Sequence, residues 1–265
     1  MLLDGKTAVI YGGGGAIGGA TARTFAREGA RVHLAGPTPA KLDRVAREIE
    51  AAGGRAQTAV VDALDAAAVD AHVDAIVADG GRLDVMVNAI GFPHVQGPPL
   101  ADLSCADFEH PIAAYTRTHF LTAKAVARPM RAQGSGVILT LSTPGARMSG
   151  PGFLGYGVTC GAIEAFSRIL AGELGPDGVR VVCLRPDAMP DALATSYTGE
   201  MFARMAAQHG TTAEAMLNER ARTGSLLGRA PTLAQVADYA AFAASDRAAA
   251  MTGAIANLTC GSLVD

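Results

Sequence analysis

Short apolar runs alternate with stretches of helical periodicity along most of this chain, and that alternation restricts the fold more than any other feature. TAVIY (7–11) precedes a helical pattern from Ala16 to Glu28, RVHLA (31–35) one near 38–52, and QTAVV (57–61) one at 65–79. LDVMV (83–87) precedes a loop and a long helix near 105–132, and VILTL (137–141) a Gly-rich loop and a helix near 156–174. VRVVCL (179–184) leads through an irregular stretch to a helix near 232–244 and a last strand near 254–258. Strands joined by helices must run parallel, and a parallel sheet hides both faces under helices, so its strands read as unbroken apolar runs. The expected fold is therefore α/β: a doubly wound parallel sheet of about seven strands, helices on both faces, in a single domain over 1–265. Residues 187–228 break the alternation with Pro190, Gly199, Gly210 and Gly224 around two short helical patterns, and are read as an active-site lid.

Composition narrows the partners. With 49% hydrophobic and 18% charged residues the chain buries a sizeable core. Net charge is -3 and no basic stripe is present, which argues against nucleic acid. No apolar run reaches the roughly 18 residues of a membrane span. Cys105, Cys160, Cys183 and Cys260 fit no zinc spacing and read as reduced thiols, so no metal is expected. The start, MLLDGKTAVIYGG, enters a strand directly with no signal-peptide pattern, and the expected compartment is the cytoplasm.

The 32 glycines are an excess with an address. Tyr11-Gly12-Gly13-Gly14-Gly15-Ala16-Ile17-Gly18 lies between the first strand and the first helix. Glycine there lets backbone approach a pyrophosphate, and the helix N-terminus offers free N–H groups and a positive dipole. A second group, Gly145, Gly150, Gly152, Gly155, Gly157 and Gly161, crowds Tyr156.

These residues resemble the short-chain dehydrogenase/reductase family over essentially the whole chain. Its T-G-x-x-x-G-x-G loop falls on Tyr11, Gly12, Ala16 and Gly18, with Thr and the middle Gly replaced. Asp62 matches the adenine-binding Asp, Asn88-Ala89-Ile90-Gly91 the N-N-A-G turn, and Gly228-Arg229 through Met251-Thr252-Gly253 the C-terminal segment. The resemblance implies hydride transfer between NAD or NADP and a small-molecule carbonyl or alcohol, in a homo-dimer or homo-tetramer. It implies a cofactor site of Gly12, Gly14, Gly15, Ile17, Gly18, Gly36, Thr38, Asp62, Ala63, Asn88, Ala89, Cys160 and Pro186. Gly36 and Pro37 stand where an acidic residue or an Arg would choose between NAD and NADP, so the form is undetermined.

The reaction centre departs from the family. Tyr156 matches the general acid/base of Y-x-x-x-K, but the Lys position is Cys160. Thr143, with Ser142 beside it, falls at the substrate-holding Ser, so Tyr156, Thr143 and Ser142 are the implied catalytic set. Tyr115 falls at the Asn of the long helix, Arg185-Pro186-Asp187 replaces a Pro-Gly turn, and Asp191 replaces a cofactor-contacting Thr. A cation about 4 Å from a phenolate contributes roughly 4 kcal/mol at an effective dielectric near 20, about three pKa units. Without it Tyr156 stays protonated at neutral pH, which suits carbonyl reduction better than alcohol oxidation. His119 reads as a packed histidine, His94 and His110 as solvent-exposed loop histidines, and Arg147 as a surface charge. Loss of the Lys and Asn leaves two alternatives: a ligand-binding protein of this fold without hydride transfer, or a non-redox enzyme reusing the pocket.

Overall fold

The computed structural model describes residues 1–265. Its strands are β1 (Thr7–Tyr11), β2 (Arg31–Gly36), β3 (Arg55–Val60), β4 (Val85–Asn88), β5 (Gly136–Leu141), β6 (Val179–Pro186) and β7 (Ala254–Leu258). The helices are α1 (Ala16–Arg27), α2 (Pro39–Ala51), α3 (Ala66–Gly80), α4 (Cys105–Gln133), α5 (Leu154–Leu174), α6 (Thr198–Ala207), α7 (Ala213–Gly224) and α8 (Leu233–Ala244). All seven strands form one parallel sheet in the order β3-β2-β1-β4-β5-β6-β7. The doubly wound sheet expected from the alternation is the one observed.

Successive residues of a strand face opposite sides, and here each side has its own core. Ala8, Ile10, Val85, Val87, Val137 and Leu139 face α1, α2 and α8, where Phe25, Leu42, Ile49 and Ala240 meet them. Val9, Tyr11, Met86 and Ile138 face α3, α4 and α5, against Val73, Ile76, Val126 and Leu174. The third strand departs from the reading. It begins at Arg55, two residues early, and is mostly exposed, with Val60 66% accessible, because it lies at the sheet edge with nothing beyond it.

Strand order reverses between β1 and β4, so the loops that follow them diverge and leave a crevice at their carboxyl ends, where ligands of such sheets bind. The irregular 187–228 stretch contributes α6 and α7, both of which face that crevice.

Candidate active site

A cavity of about 830 Å³ opens at the carboxyl ends of β1, β2, β4, β5 and β6. Its floor begins at the glycine loop. Gly12 has φ +80°, a conformation that disfavours a side chain, and a Cβ there would stand 2.5 Å from the Ala89 carbonyl oxygen. The loop is thereby seated on the turn after β4. Gly15 caps α1 with no side-chain acceptor, and the first intrahelical bond runs from Gly19 N to Gly15 O at 2.8 Å. The amides of Ala16, Ile17 and Gly18 consequently have no protein acceptor, and no acidic side chain occupies the first turn. Free amides at the positive end of a helix, beside a loop stripped of side chains, fit a pyrophosphate.

Most residues implied as cofactor contacts line this cavity: Gly12, Gly14, Gly15, Ile17, Gly36, Thr38, Asp62, Ala63, Ala89, Cys160 and Pro186. Thr38 precedes α2 without using its hydroxyl as a cap, and Lys41 lines the same end. Gly18 and Asn88 do not line it. Gly18 lets the first turn of α1 lie against the Gly12 carbonyl. Asn88 is buried, donates to Thr122 Oγ1 at 3.1 Å and accepts from Ile90 N at 3.2 Å, and so shapes the turn from behind. Tyr11, at the family's Thr, turns its phenol toward α3, 3.3 Å from His72 Nδ1.

At the other end lies the expected reaction centre. Thr143 and Tyr156 both face the cavity. Thr143 Oγ1 is 3.2 Å from Cys160 Sγ and accepts from Gly145 N at 3.2 Å. Ser142, the third residue of the implied catalytic set, also lines the cavity, and its hydroxyl donates to Glu164 Oε1 at 2.7 Å. Glu164 in turn holds Arg185 in a two-pronged pair at 2.7 and 3.0 Å, with both side chains buried. Arg185 therefore neutralises Glu164 behind the wall and adds no cation to the cavity. Asp191 also lies off the cavity wall, accepting from Leu233 N at the start of α8.

Burial pushes the Tyr156 phenol well above its ordinary pKa, and the neighbouring Cys160 and Tyr115 raise it further. The other groups that act on it, Thr143 and Tyr197, are hydroxyls, so no cation opposes the burial. Cys160 is itself buried, which pushes its thiol up to about 11 and keeps it neutral.

Two neighbours escaped sequence reasoning. His94, expected as an exposed loop residue, stacks on Tyr156 with ring centroids 4.1 Å apart and planes within 8°. Its Nδ1 is 2.9 Å from the Phe92 carbonyl and must be the donor, leaving Nε2 to accept from Gln96 Nε2 at 2.7 Å. Burial lowers its pKa, so it is neutral. Tyr197, from the turn before α6, places its hydroxyl 2.8 Å from Tyr115 Oη, which also accepts from Phe92 N at 3.0 Å. Tyr115 thus brings a phenol, tied to Tyr197, to the wall where the family's Asn was sought. The only sequence signal for either was their place in loops that follow strands at the carboxyl edge. His119 is buried against Phe166, gives Nδ1 to the Tyr115 carbonyl at 2.8 Å, and does not reach the cavity. His110 is exposed, and Arg147 is a surface residue paired with Asp265 at 3.5 Å.

Comparison with known proteins bears on all of this. The family model described as Enoyl-(Acyl carrier protein) reductase matches residues 14–262. The chain is 30% identical over 253 residues to secoisolariciresinol dehydrogenase of Forsythia intermedia, covering 95% of this chain and 86% of that protein. It is 32% identical over 248 residues to the short-chain reductase protein NovJ of Streptomyces niveus, covering 94% and 90%. Among solved structures, an NAD+-bound xylitol dehydrogenase superposes with a TM-score of 0.88 at 25% identity, covering 98% of this chain and all of that one.

Proposed function

The chain belongs to the short-chain dehydrogenase/reductase family of oxidoreductases, and from that premise we propose that it reduces a carbonyl compound with a nicotinamide cofactor, Tyr156 donating the proton. The observation that carries this reading is the pairing of one cavity with two ends: free α1 amides and the Gly12 loop at one, Tyr156 and Thr143 at the other. When bound, the cofactor supplies the hydride. Gly12, Gly14, Gly15 and Ile17 would hold its pyrophosphate, Asp62 and Ala63 its adenine end, and Ala89, Cys160 and Pro186 its nicotinamide half. Neither an acidic residue nor an Arg ends β2, so NAD and NADP are both admitted.

Thr143 and Tyr156 offer hydroxyls to the substrate oxygen. Tyr156, held protonated by burial, releases its proton to that oxygen as charge develops there. His94 stacks behind the ring and fixes its plane. Segment 187–228 closes over the substrate as a lid: Met201, Phe202 and Met216 face the cavity, and Arg220 pairs with Asp187 at the end of β6. Exposed Phe120 on α4, which lines a groove of about 490 Å³ with Phe166 and Leu170 of α5, and exposed Ile169 on α5 support assembly as a homo-dimer or homo-tetramer. No helix is long and apolar enough to cross a membrane, and all four cysteines are free, in keeping with a cytoplasmic enzyme.

The absent cation favours a second reading, a protein that binds cofactor or ligand without turnover. Titration with NADH and NADPH followed by a carbonyl panel separates the two. Cofactor oxidation by any carbonyl upholds the first; tight binding with no turnover for any of them upholds the second.

A further inference from the structure

Beyond Tyr156 the cavity wall changes character. Phe92 comes from the loop after β4, Met148 and Phe153 from the loop before α5, and Met201, Phe202 and Met205 from α6. Three segments distant in sequence thus turn rings and thioethers toward one space, with Gln96, Thr195, Ser196 and Thr198 as the polar side chains beside them. Thioethers on flexible stems adapt to irregular apolar shapes and make favourable contacts with ring edges.

The charged residues on the cavity wall are Lys41, Asp62, Asp187 and Arg220. Lys41 and Asp62 stand beyond β2 and β3, at the far end of the sheet from Tyr156. Asp187 and Arg220 pair with each other. No free charge is therefore left near Tyr156 to receive a phosphate or carboxylate. The polar side chains on this wall are mostly committed: Tyr115 to Tyr197 and Phe92, Thr143 to Gly145 and Cys160, Ser142 to Glu164, Ser196 to Thr198 and Gln96 to His94, with Thr195 the exception. Enough polarity remains for one carbonyl oxygen. A polyol brought into such a site leaves hydroxyls unpaired, and each unpaired buried group weakens binding.

We infer that the substrate of this site is an uncharged, bulky, largely apolar ketone carrying an aromatic or fused ring. It is not a sugar, a polyol or an acyl thioester. The inference rests on the reading of the cavity as the active site of a carbonyl reductase, and it sets this chain apart from the xylitol dehydrogenase whose fold it shares.

The test is direct binding to the full-length protein. Calorimetric titrations with 2-tetralone, D-xylulose and acetoacetyl-CoA are run with and without NADH and NADPH, and cofactor binding is followed separately by its own fluorescence. At least tenfold tighter binding of 2-tetralone than of either rival is expected. Phe202→Asp should weaken 2-tetralone at least tenfold and leave cofactor affinity unchanged. The milder Met205→Gln, which keeps the side chain's length, should weaken it several-fold and guards against loss of fold. Equal or tighter binding of D-xylulose or acetoacetyl-CoA overturns the inference, as does indifference of 2-tetralone to both substitutions. If 2-tetralone binds and neither cofactor does, the cofactor reading falls and the apolar site stands. If a cofactor binds and 2-tetralone does not, the inference alone falls.

Discussion

By the family resemblance Cys160 stands where a lysine would hold a positive charge near the Tyr156 phenol, and with Tyr156 as the proposed acid/base the consequence is an asymmetry between the two directions of reaction. Reduction needs a protonated phenol, which burial supplies. Oxidation needs a phenolate, which burial opposes and no cation rescues. Alcohol oxidation should therefore be slow at pH 7 and climb steadily as pH rises beyond 9. Cys160→Lys places an ammonium one helical turn from Tyr156. If that cation lowers the phenol by even one to two pKa units, oxidation at pH 7 rises about 10- to 100-fold. The pH–rate profile of the variant reads this out, and an unmoved profile would count against Tyr156 as the acid/base. Ser142 teaches the complementary point. It adjoins Thr143 in sequence, yet its hydroxyl serves the buried Glu164, a partner 22 residues away.

Between elements, Tyr197 joins the start of the α6–α7 segment to α4 and to the turn after β4, while Arg220 joins its far end to Asp187. The Tyr197 hydroxyl meets Tyr115 of α4, and its ring lies so close over Gly91 that a Cβ at that position would overlap it. Gly91→Ala must displace the Tyr197 ring and break the pair of phenols. Proteolysis within 187–228 should then accelerate several-fold. In a Tyr197→Ala background the same Gly91→Ala change should have little further effect, because the ring it strikes is gone. Equal acceleration in both backgrounds would place the cause in the β4 turn instead. His94 and Gln96 belong to the same loop, so the turn after β4 seats the Gly12 loop through Ala89, meets Tyr197 through Gly91, and stacks on Tyr156 through His94.

At the scale of the whole molecule, the Arg185–Glu164 pair ties β6 to α5 inside the fold, and Asp265 adds a second partner at 2.5 Å. Glu164→Ala leaves a buried guanidinium half-paired and should cost about 3 kcal/mol in urea unfolding, while Glu164→Met with Arg185→Met should cost less than either single change. Acid should also destabilise the protein. Burial lowers His119 from 6.5 to about 4, so the unfolded chain takes up this proton first. The contribution is complete above pH 6.5 and is lost as pH falls toward 4, about 3 kcal/mol in all. Unfolding free energies between pH 7 and 4 check it, and His119→Leu should flatten the slope. Much of this architecture was legible in the chain. Apolar runs such as VILTL and the glycine loop are local patterns, and a parallel sheet covered on both faces is the arrangement that buries them while pairing every strand. The glycine loop put Gly12 at the carboxyl edge, and the family resemblance put Thr143 and Tyr156 there. What surrounds Tyr156 was not legible. The stacking of His94, the reach of Tyr197 and the bond from Ser142 to Glu164 join residues tens of positions apart. Their distances depend on where α4, α5 and the α6–α7 segment settle on the sheet, and no periodicity encodes that.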